Sequence, residues 1–264
     1  MPTLISRDGT TIGYDVRGSG PVIILVAGAT QYRAIDHATP RLIDHLASHF
    51  TMVNFDRRGR GASTDTLPYA VAREIEDIEA LIDAMGGRAG LYGMSSGAVL
   101  ALEAAAALPG KVTSLFLYEP PVDVGQPTED LWKQHGEVAA LAEKGDGEGM
   151  MCHFMGAFMS PEELEAFRRS PAWPAFAAVG ATIEHDYRVM AEARDGDSQP
   201  ARWRDVAVPV LVVNGDSSFD FIDAGAAWVA AGVPGASRRI LPGQGHDVSE
   251  EALAPVMMAF FGAN

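Results

Sequence analysis

Two residues whose side chains could carry covalent chemistry stand in short glycine-rich strings far apart in the chain. Ser95 is the central residue of GMSSG, which matches G-x-S-x-G. Small residues around such a serine permit a sharp turn from a strand into a helix, and that turn exposes the hydroxyl. His246 ends the string PGQGH, and an imidazole there could take the serine proton and return it to a leaving group. The pair predicts nucleophilic catalysis by serine.

Backbone N–H groups near Ser95 could stabilise the negative charge that develops on a carbonyl oxygen under attack. The N–H of Ser96 is expected at the start of a helix, aimed at such an oxygen. A second donor is expected from the turn AGAT over residues 27–30, and we nominate the N–H of Ala29. The alternative for this segment is a tight turn that simply needs Gly28. Ala29 and Ser96 are therefore the predicted oxyanion hole.

The string DRRGRGAS over residues 56–63 resembles the D-x-R-G-x-G-x-S turn of the α/β-hydrolase superfamily. Together with the serine string, it makes the sequence similar to that superfamily over nearly its whole length. The resemblance implies an α/β fold with a mostly parallel central sheet, helices on both faces and a helical lid insertion. It also implies that the arginines hold a loop and that His246 lies in the family's histidine loop. We call the G-x-S-x-G turn around Ser95 the elbow. A serine at this position argues against dehalogenase or epoxide-hydrolase chemistry, which uses an aspartate nucleophile in this superfamily.

Three carboxylates are candidates for orienting His246. Many superfamily members carry an aspartate in a G-x-x-D turn, but Ser218 stands at that position here, and Asp216 and Asp220 are both out of register. Glu119 ends an earlier apolar strand, and a carboxylate there resembles the acid of haloalkane dehalogenases that use glutamate. It also resembles the Ser, Glu, His set of zearalenone lactone hydrolases. We favour Glu119, with Asp216 and Asp220 as alternatives and a dyad without an acid as the remaining case.

Alternating strands and helices must position these groups. Apolar or alternating runs predict strands over residues 10–16, 22–27, 51–55, 89–92, 112–118, 210–214 and 238–241. Helical periodicity predicts helices over residues 42–50, 69–85, 96–108 and 250–261. The alternation indicates a mostly parallel sheet covered on both faces. On the helix 69–85 we expect the acidic residues, including Glu74 and Asp77, to lie mostly away from the apolar face.

The segment 121–205 contains no convincing strand and predicts a helical cap inserted into a core formed by residues 1–120 and 206–264. A cap placed there would cover the carboxyl edge of the sheet, where open α/β folds bind ligands. Met151, Met155, Phe158 and His185 are candidates for lining the substrate cavity. We reject a metal site at the string EHD over residues 184–186, because neighbouring side chains on one helix diverge.

Composition narrows the possible partners. The formal charge is −15, and the only dense basic run is the turn described above, so the composition argues against nucleic acid as a partner. The single cysteine excludes an intramolecular disulfide. No run reaches the roughly 18 apolar residues of a membrane helix, and we expect a cytoplasmic protein. A small-molecule substrate fits these features, with no cofactor and no membrane partner, whereas the oligomeric state is open.

These residues together favour hydrolysis of an ester, thioester or lactone of a small, largely apolar substrate through an acyl-enzyme on Ser95. One alternative keeps the same triad for carbon–carbon bond hydrolysis, perhydrolysis, or a lyase or cyclase step. A second alternative is a ligand receptor on the same fold that performs no catalysis. The sequence does not identify the substrate, because specificity depends on cap side chains that it does not place in space.

Overall fold

A single twisted sheet forms the centre of the computed structural model, which describes residues 2–194 and 196–263. Eight strands are present in this part of the chain: β1 (Thr3–Ile5), β2 (Thr11–Gly18), β3 (Val22–Val26), β4 (Thr51–Phe55), β5 (Ala89–Met94), β6 (Val112–Tyr118), β7 (Val210–Gly215) and β8 (Ser237–Leu241). Their spatial order is β1-β2-β4-β3-β5-β6-β7-β8. Strand β2 pairs antiparallel with β1 and with β4. All the other neighbouring strands, from β4 through β3 to β8 in the spatial order, pair in parallel. The predicted α/β fold with a mostly parallel sheet is confirmed.

Helices connect the strands. They are α1 (Ala38–Leu46), α2 (Val71–Ala84), α3 (Ser96–Ala107), α4 (Thr128–Ala142), α5 (Gly147–Met155), α6 (Pro161–Arg168), α7 (Trp173–Val179), α8 (Ile183–Glu192), α9 (Ile222–Gly232) and α10 (Glu250–Gly262). Short 3₁₀ turns occupy Gly180–Thr182 and Ala201–Asp205. None of the helices in the described ranges is both long and apolar enough to cross a bilayer.

Two hydrophobic layers enclose the sheet because successive side chains of a strand point to opposite faces. On β3, Ile24 and Val26 pack into a layer that contains side chains of α2, α3 and α9. Ile23 and Leu25 pack into the opposite layer, with side chains of α1 and α10. This burial on both faces explains why central strands such as β3 are continuous apolar runs in the sequence.

The parallel strands end at one edge of the sheet, and this edge collects the candidate catalytic residues. Ser95 follows β5 and Glu119 follows β6, while Ser218 lies in the loop after β7 and His246 in the loop after β8. Since β5, β6, β7 and β8 are consecutive neighbours in the sheet, residues far apart in sequence meet at adjacent strand ends. Ligands of open α/β folds bind at this edge.

Helices α4 to α8 lie between β6 and β7, as a helical insertion requires. They enclose a third hydrophobic cluster, which includes Val138, Met150, Met151, Met155, Trp173, Val179 and Ile183. The division into a core of residues 1–120 and 206–264 and a cap of residues 121–205 stays a prediction. Helix α8 also packs against α3 and α2, so this part of the insertion is in direct contact with the central layers.

The acidic residues of α2 differ from the sequence expectation. Glu74 and Asp77 are 2 % and 1 % exposed, so the prediction that they lie away from the interior is wrong. The cause is the arginine turn after β4. Arg57 donates two hydrogen bonds of 2.7 Å to the Glu74 carboxylate, and Arg58 donates two of 2.8 Å to Asp77. Buried guanidinium groups need carboxylate partners, and α2 supplies them.

Candidate active site

The turn between β5 and α3 holds Ser95 in a strained conformation. Its backbone angles are φ 55° and ψ −130°, which are unusual for a residue with a side chain. A Cβ atom at Gly97 would lie 2.3 Å from the carbonyl oxygen of Val26, and one at Gly93 would lie 2.4 Å from that of Gly97. The Ser95 N–H donates to the Tyr118 carbonyl at 2.9 Å. The glycines of the motif therefore permit a turn that a larger side chain would block.

Glu119 lies beside the histidine. Its Oε2 atom is 2.8 Å from Nδ1 of His246, and the glutamate side chain is fully buried, whereas that of His246 is 30 % exposed. Oε2 also accepts a 2.7 Å hydrogen bond from the Ser218 hydroxyl, and Oε1 accepts one of 2.9 Å from the Gly215 N–H. The backbone of Glu119 has φ 46°, which turns the side chain from the end of β6 towards the loops after β7 and β8.

The environment of Glu119 favours its ionised form. Burial by itself would raise the pKa of this carboxyl, but the hydrogen bonds from His246, Ser218 and the Gly215 N–H together hold it below its ordinary value. An ionised carboxylate only accepts hydrogen bonds, so Nδ1 of His246 carries a proton in this contact. The Nε2 atom is then the ring nitrogen with a lone pair available for a proton from Ser95.

A hydrogen bond from the last residue of β6 holds the histidine loop against the sheet. The Tyr118 hydroxyl donates to the Gly245 carbonyl at 2.6 Å, immediately before His246. Within the part of the chain that the structure describes, Ser95 Oγ makes no hydrogen bond to the His246 ring. In enzymes without substrate, hydrogen bonds between a nucleophile and its base are often long and become shorter in the substrate complex. A proton transfer between Ser95 and His246 would therefore require these two side chains to approach each other.

The two alternative acids have other surroundings. Asp216 and Asp220 are both exposed. Asp216 accepts a 2.7 Å hydrogen bond from the Gly243 N–H, so it links the loop after β7 to the histidine loop at the protein surface. Among the residues that the structure describes, neither aspartate forms a hydrogen bond or an ion pair with His246. Of the three candidates, Glu119 is the one in contact with the ring.

The predicted oxyanion donors lie on the same cavity as the serine. Ala29, Ser95 and Ser96 all line a cavity of about 490 Å³. A Cβ atom at Gly28 would lie 2.9 Å from Cβ of Ser95, so only bare backbone fits this close to the nucleophile. The Gly28 N–H donates to Gln31 Oε1 at 2.7 Å and is thus already used, which leaves the N–H of Ala29 as the donor next along the loop.

Side chains of the insertion form the far walls of the cavity. The lining residues beyond the elbow and its loop are Pro121, Asp123, Gln126, Leu131, Gln134, His153, Phe154, Gly156, Ala157, Phe158, Asp186, Tyr187, Met190 and Phe221. Phe158 is in this set, as expected. Met151 and Met155 are not, because they pack into the hydrophobic cluster inside the insertion, where they are 0 % and 8 % exposed. The structure therefore places both methionines behind the wall of the cavity and not on its described lining.

His185 is likewise not a lining residue. Its ring stacks on Tyr69 with a centroid distance of 3.7 Å and an interplanar angle of 3°, and the residue is 4 % exposed. Burial is the largest cause that lowers the pKa of His185, to about 4. The ring is therefore neutral at pH 7 and packs α8 against the core, away from the described lining of the cavity.

Several residues of the site were missed by sequence reasoning. Asp186 lies at the cavity wall and accepts hydrogen bonds from Arg57, Arg60 and Ser96. The sequence contained part of the evidence for a buried carboxylate such as Asp186, because three arginines in one turn require several buried carboxylates. Phe219 stands 5.7 Å from the His246 ring and 5.3 Å from Phe158, measured between ring centroids. Nothing in the local sequence connects these aromatic rings, since they come from distant segments.

The elbow after β5 and the mostly parallel sheet define an α/β-hydrolase fold, and comparisons with known proteins agree. The model of the Alpha/beta hydrolase family matches residues 23–257. The chain therefore belongs to the Alpha/beta hydrolase family, as its sequence predicted.

Three similar proteins support this assignment. A crystal structure of an alpha/beta hydrolase from Sphaerobacter thermophilus DSM 20745 is 40 % identical, with a TM-score of 0.83, covering 98 % of this chain and 100 % of that chain. A 2-(acetamidomethylene)succinate hydrolase of Mesorhizobium japonicum is 28 % identical over 91 % of this chain and 86 % of its own length. An uncharacterized hydrolase of Bacillus subtilis, YraK, is 34 % identical over 116 residues, and the match spans 42 % of each protein.

Proposed function

We propose that this hydrolase cleaves an ester, thioester or lactone of a small, neutral and largely apolar substrate through an acyl-enzyme on Ser95. The observation that carries the proposal is the hydrogen bond of 2.8 Å between His246 and the buried Glu119, at the sheet edge that also presents Ser95. This contact fixes the histidine as a base with Nε2 available. The hydrolase names of similar proteins agree with the reaction class.

The proposed reaction has two halves. In the first, Ser95 Oγ attacks the substrate carbonyl carbon and its proton passes to His246 Nε2, while the N–H groups of Ala29 and Ser96 stabilise the oxyanion. His246 then gives the proton to the leaving oxygen or sulfur, and the acyl group remains on Ser95. In the second half, His246 takes a proton from water, the resulting hydroxide attacks the acyl carbon, and the proton returns to Ser95 as the acid leaves.

The cavity supports an apolar substrate. Its apolar walls include Leu131, Phe154, Phe158, Met190 and Phe221. Its volume of about 490 Å³ lies within the range of small-molecule sites. Polar side chains such as Gln126, Gln134 and His153 also line the cavity, and they would orient a mostly apolar ligand.

The nucleophile is tested with a fluorophosphonate probe followed by peptide mass spectrometry, together with hydrolysis of p-nitrophenyl esters. We expect the label on Ser95, and we expect Ser95→Ala to abolish both labelling and turnover. Labelling of another serine, or full activity of Ser95→Ala, would contradict the proposal. Labelling without turnover of any ester, thioester or lactone would favour the other reactions of the same residues or a receptor role.

The orienting acid is tested by a matched pair of isosteric variants. Glu119→Gln is expected to lower kcat by roughly 10² to 10⁴, because the amide favours the wrong tautomer of His246. Asp216→Asn removes a carboxylate from the neighbouring loop and is expected to change kcat by less than about threefold. The kinetics of both variants are measured alongside their thermal unfolding. A large loss in Asp216→Asn with Glu119→Gln unaffected would reverse the assignment.

A further inference from the structure

The arginine turn after β4 holds the carbonyl groups of the loop that carries Ala29. Arg60 Nη1 donates to the Gly28 carbonyl at 2.6 Å and to the Gln31 carbonyl at 3.2 Å. Arg57 Nη1 donates to the Ala27 carbonyl at 3.3 Å. Both guanidinium groups are at most 1 % exposed, so these contacts are made away from water. The two arginines therefore fix the loop through its backbone.

The contact between Arg60 and Gly28 also sets the direction of the adjacent N–H. The peptide bond between Gly28 and Ala29 is trans, and a trans peptide holds its C=O and N–H antiparallel in one plane. With the carbonyl held against Arg60, the Ala29 N–H must point away from the arginine. Ala29 lines the same cavity as Ser95, and we infer that its N–H points into that cavity, as an oxyanion donor needs.

One carboxylate of the insertion connects both arginines to the elbow. Asp186 lies on α8 and is 3 % exposed. Its Oδ1 accepts hydrogen bonds from Arg57 Nη1 at 2.6 Å and from Ser96 Oγ at 2.7 Å, and its Oδ2 accepts one from Arg60 Nη2 at 2.6 Å. The same group therefore contacts the residues that position each of the two predicted oxyanion donors.

The charges of this buried cluster balance. Arg57 and Arg60 contribute two positive charges, and Glu74 and Asp186 contribute two negative charges. Arg57 keeps a bidentate partner in Glu74 if Asp186 is neutralised, but Asp186 is the carboxylate that contacts Arg60. A buried charge without its partner is strongly unfavourable, so Arg60 would be expected to shift towards other acceptors or water. The Gly28 carbonyl would then lose its fixed donor.

We propose that Asp186 is a positioning residue that aligns both oxyanion donors, so that the oxyanion hole is complete only when α8 is seated on the core. It acts on Ala29 through Arg60 and the Gly28 carbonyl, and on the start of α3 through the Ser96 hydroxyl. Its carboxylate already accepts three hydrogen bonds from Arg57, Arg60 and Ser96 and is 3 % exposed, so we assign it a positioning role instead of a contact with the reacting atoms. This proposal rests on the proposed function, since it requires an oxyanion on a substrate bound to Ser95.

The test is the isosteric variant Asp186→Asn, in which an amide NH₂ would face donors that now meet a carboxylate oxygen. We expect kcat for a p-nitrophenyl ester to fall about 10- to 100-fold with KM changed less than about threefold. A trifluoromethyl ketone, which adds to serine as a charged tetrahedral adduct, is expected to bind more weakly by a similar factor. Unchanged kcat and unchanged inhibitor affinity in a folded variant would overturn the proposal.

The turn itself offers a matched control. Asp77 is a buried carboxylate that accepts two hydrogen bonds of 2.8 Å from Arg58, yet it contacts neither the loop of Ala29 nor the elbow. Asp77→Asn is expected to lower the melting temperature while leaving kcat and inhibitor affinity within about twofold of the unmodified protein. Equal kinetic losses in Asp77→Asn and Asp186→Asn would mean that general loosening, not alignment, causes the effect, and would overturn the proposal.

A milder variant covers the case in which Asp186→Asn does not fold. Ser96→Ala removes only the hydroxyl that donates to Asp186, and we expect a decrease of about 3- to 10-fold in kcat and in inhibitor affinity, with KM retained. No change in either quantity would overturn the proposal by itself. Ser95→Ala distinguishes a failure of the proposed function from a failure of the positioning role. If that variant keeps its turnover, the proposed function fails, whereas if it loses turnover and the Asp186 and Ser96 variants do not, only the positioning role fails.

Discussion

At the scale of single residues, Ser218 shows how Glu119, the proposed acid, is held. The serine stands where many superfamily members have their aspartate, and its hydroxyl donates to Glu119 Oε2 at 2.7 Å. The same oxygen accepts from His246 Nδ1 at 2.8 Å. A side chain at position 218 therefore contacts the same carboxylate oxygen as His246 and lies close to the histidine ring. The proposed catalytic carboxylate occupies a different strand end, while the position after β7 supports it.

This arrangement predicts that the carboxylate next to His246 can be transferred from position 119 to position 218. In a Glu119→Gln background, adding Ser218→Asp is expected to restore kcat about tenfold, because a carboxylate returns near Nδ1 of His246. In the unmodified protein, Ser218→Asp is expected to lower kcat, since two carboxylates in contact raise each other's pKa. Steady-state kinetics of the single and double variants measure both effects.

The neighbouring serine supplies the control for this exchange. Ser217 is exposed and donates to Asp216 at 3.0 Å, so Ser217→Asp adds the same charge on the outer side of the loop. It is expected to give no recovery in the Glu119→Gln background. Equal recovery from positions 217 and 218 would indicate a nonspecific effect of charge and would contradict the proposed geometry.

The sequence located the candidate nucleophile Ser95 and the loop of His246 because both depend on local strings with glycines. It favoured Glu119 but kept Asp216 and Asp220, since chain position does not give distance. The choice becomes visible only in three dimensions, where the φ of 46° at Glu119 and the pairing of β6 with β7 bring the carboxylate to Gly215. Neither feature can be read from the identity of the residues.

At the scale of elements, α2 both covers the sheet and supplies the buried carboxylates that pair with the arginine turn. Its sequence has an apolar face that predicted a helix over residues 69–85, and the structure has one at Val71–Ala84. The helical periodicity was thus sufficient for the element. It was misleading for Glu74 and Asp77, because a buried carboxylate depends on a partner from another segment, here Arg57 or Arg58. Periodicity describes one helix and carries no information about that partner.

The pairing of Glu74 with Arg57 predicts a pH-dependent contribution to stability. Burial would raise the pKa of Glu74, but the charge and hydrogen bonds of Arg57 outweigh it and lower the pKa from 4.5 to about 2. A lowered pKa in the folded state stabilises the protein above pH 4.5, and this contribution is lost as the pH falls towards about 2. The shift corresponds to about 3 kcal/mol of unfolding free energy.

Urea unfolding of the unmodified protein and of Glu74→Gln between pH 7 and pH 2 measures this contribution. The unmodified protein is expected to be more stable at pH 7, and the difference should shrink as the pH falls. Asp83→Asn, at the exposed end of α2, is the control, and we expect a change below about 1 kcal/mol at each pH because exposed ion pairs contribute little. A difference between the unmodified protein and Glu74→Gln that stays constant over this range would contradict the assigned pairing.

At the scale of the whole molecule, charge and cavity point to the same kind of substrate. The formal charge of −15 gives the surface a potential that disfavours anions. Inside the cavity, Asp186 is neutralised by two arginines, but Asp123 forms no ion pair with any residue in the ranges 2–194 and 196–263. Lysine and arginine do not occur among the described lining residues. An anionic group buried there would lose hydration without gaining a counter-charge.

We therefore predict a preference for neutral over anionic acyl groups of the same shape. The p-nitrophenyl esters of 4-carbamoylbutanoic acid and glutaric acid differ in one terminal group, an amide or a carboxylate. We expect kcat/KM to be at least about tenfold higher for the amide at low salt, which corresponds to about 1.4 kcal/mol, and the ratio to narrow as salt is added. Asp123→Asn should reduce the preference, whereas Asp130→Asn, which makes the same charge change on an exposed turn of α4 outside the lining, should not. Equal rates for the two esters, or equal effects of the two variants, would show that the cavity does not select by charge.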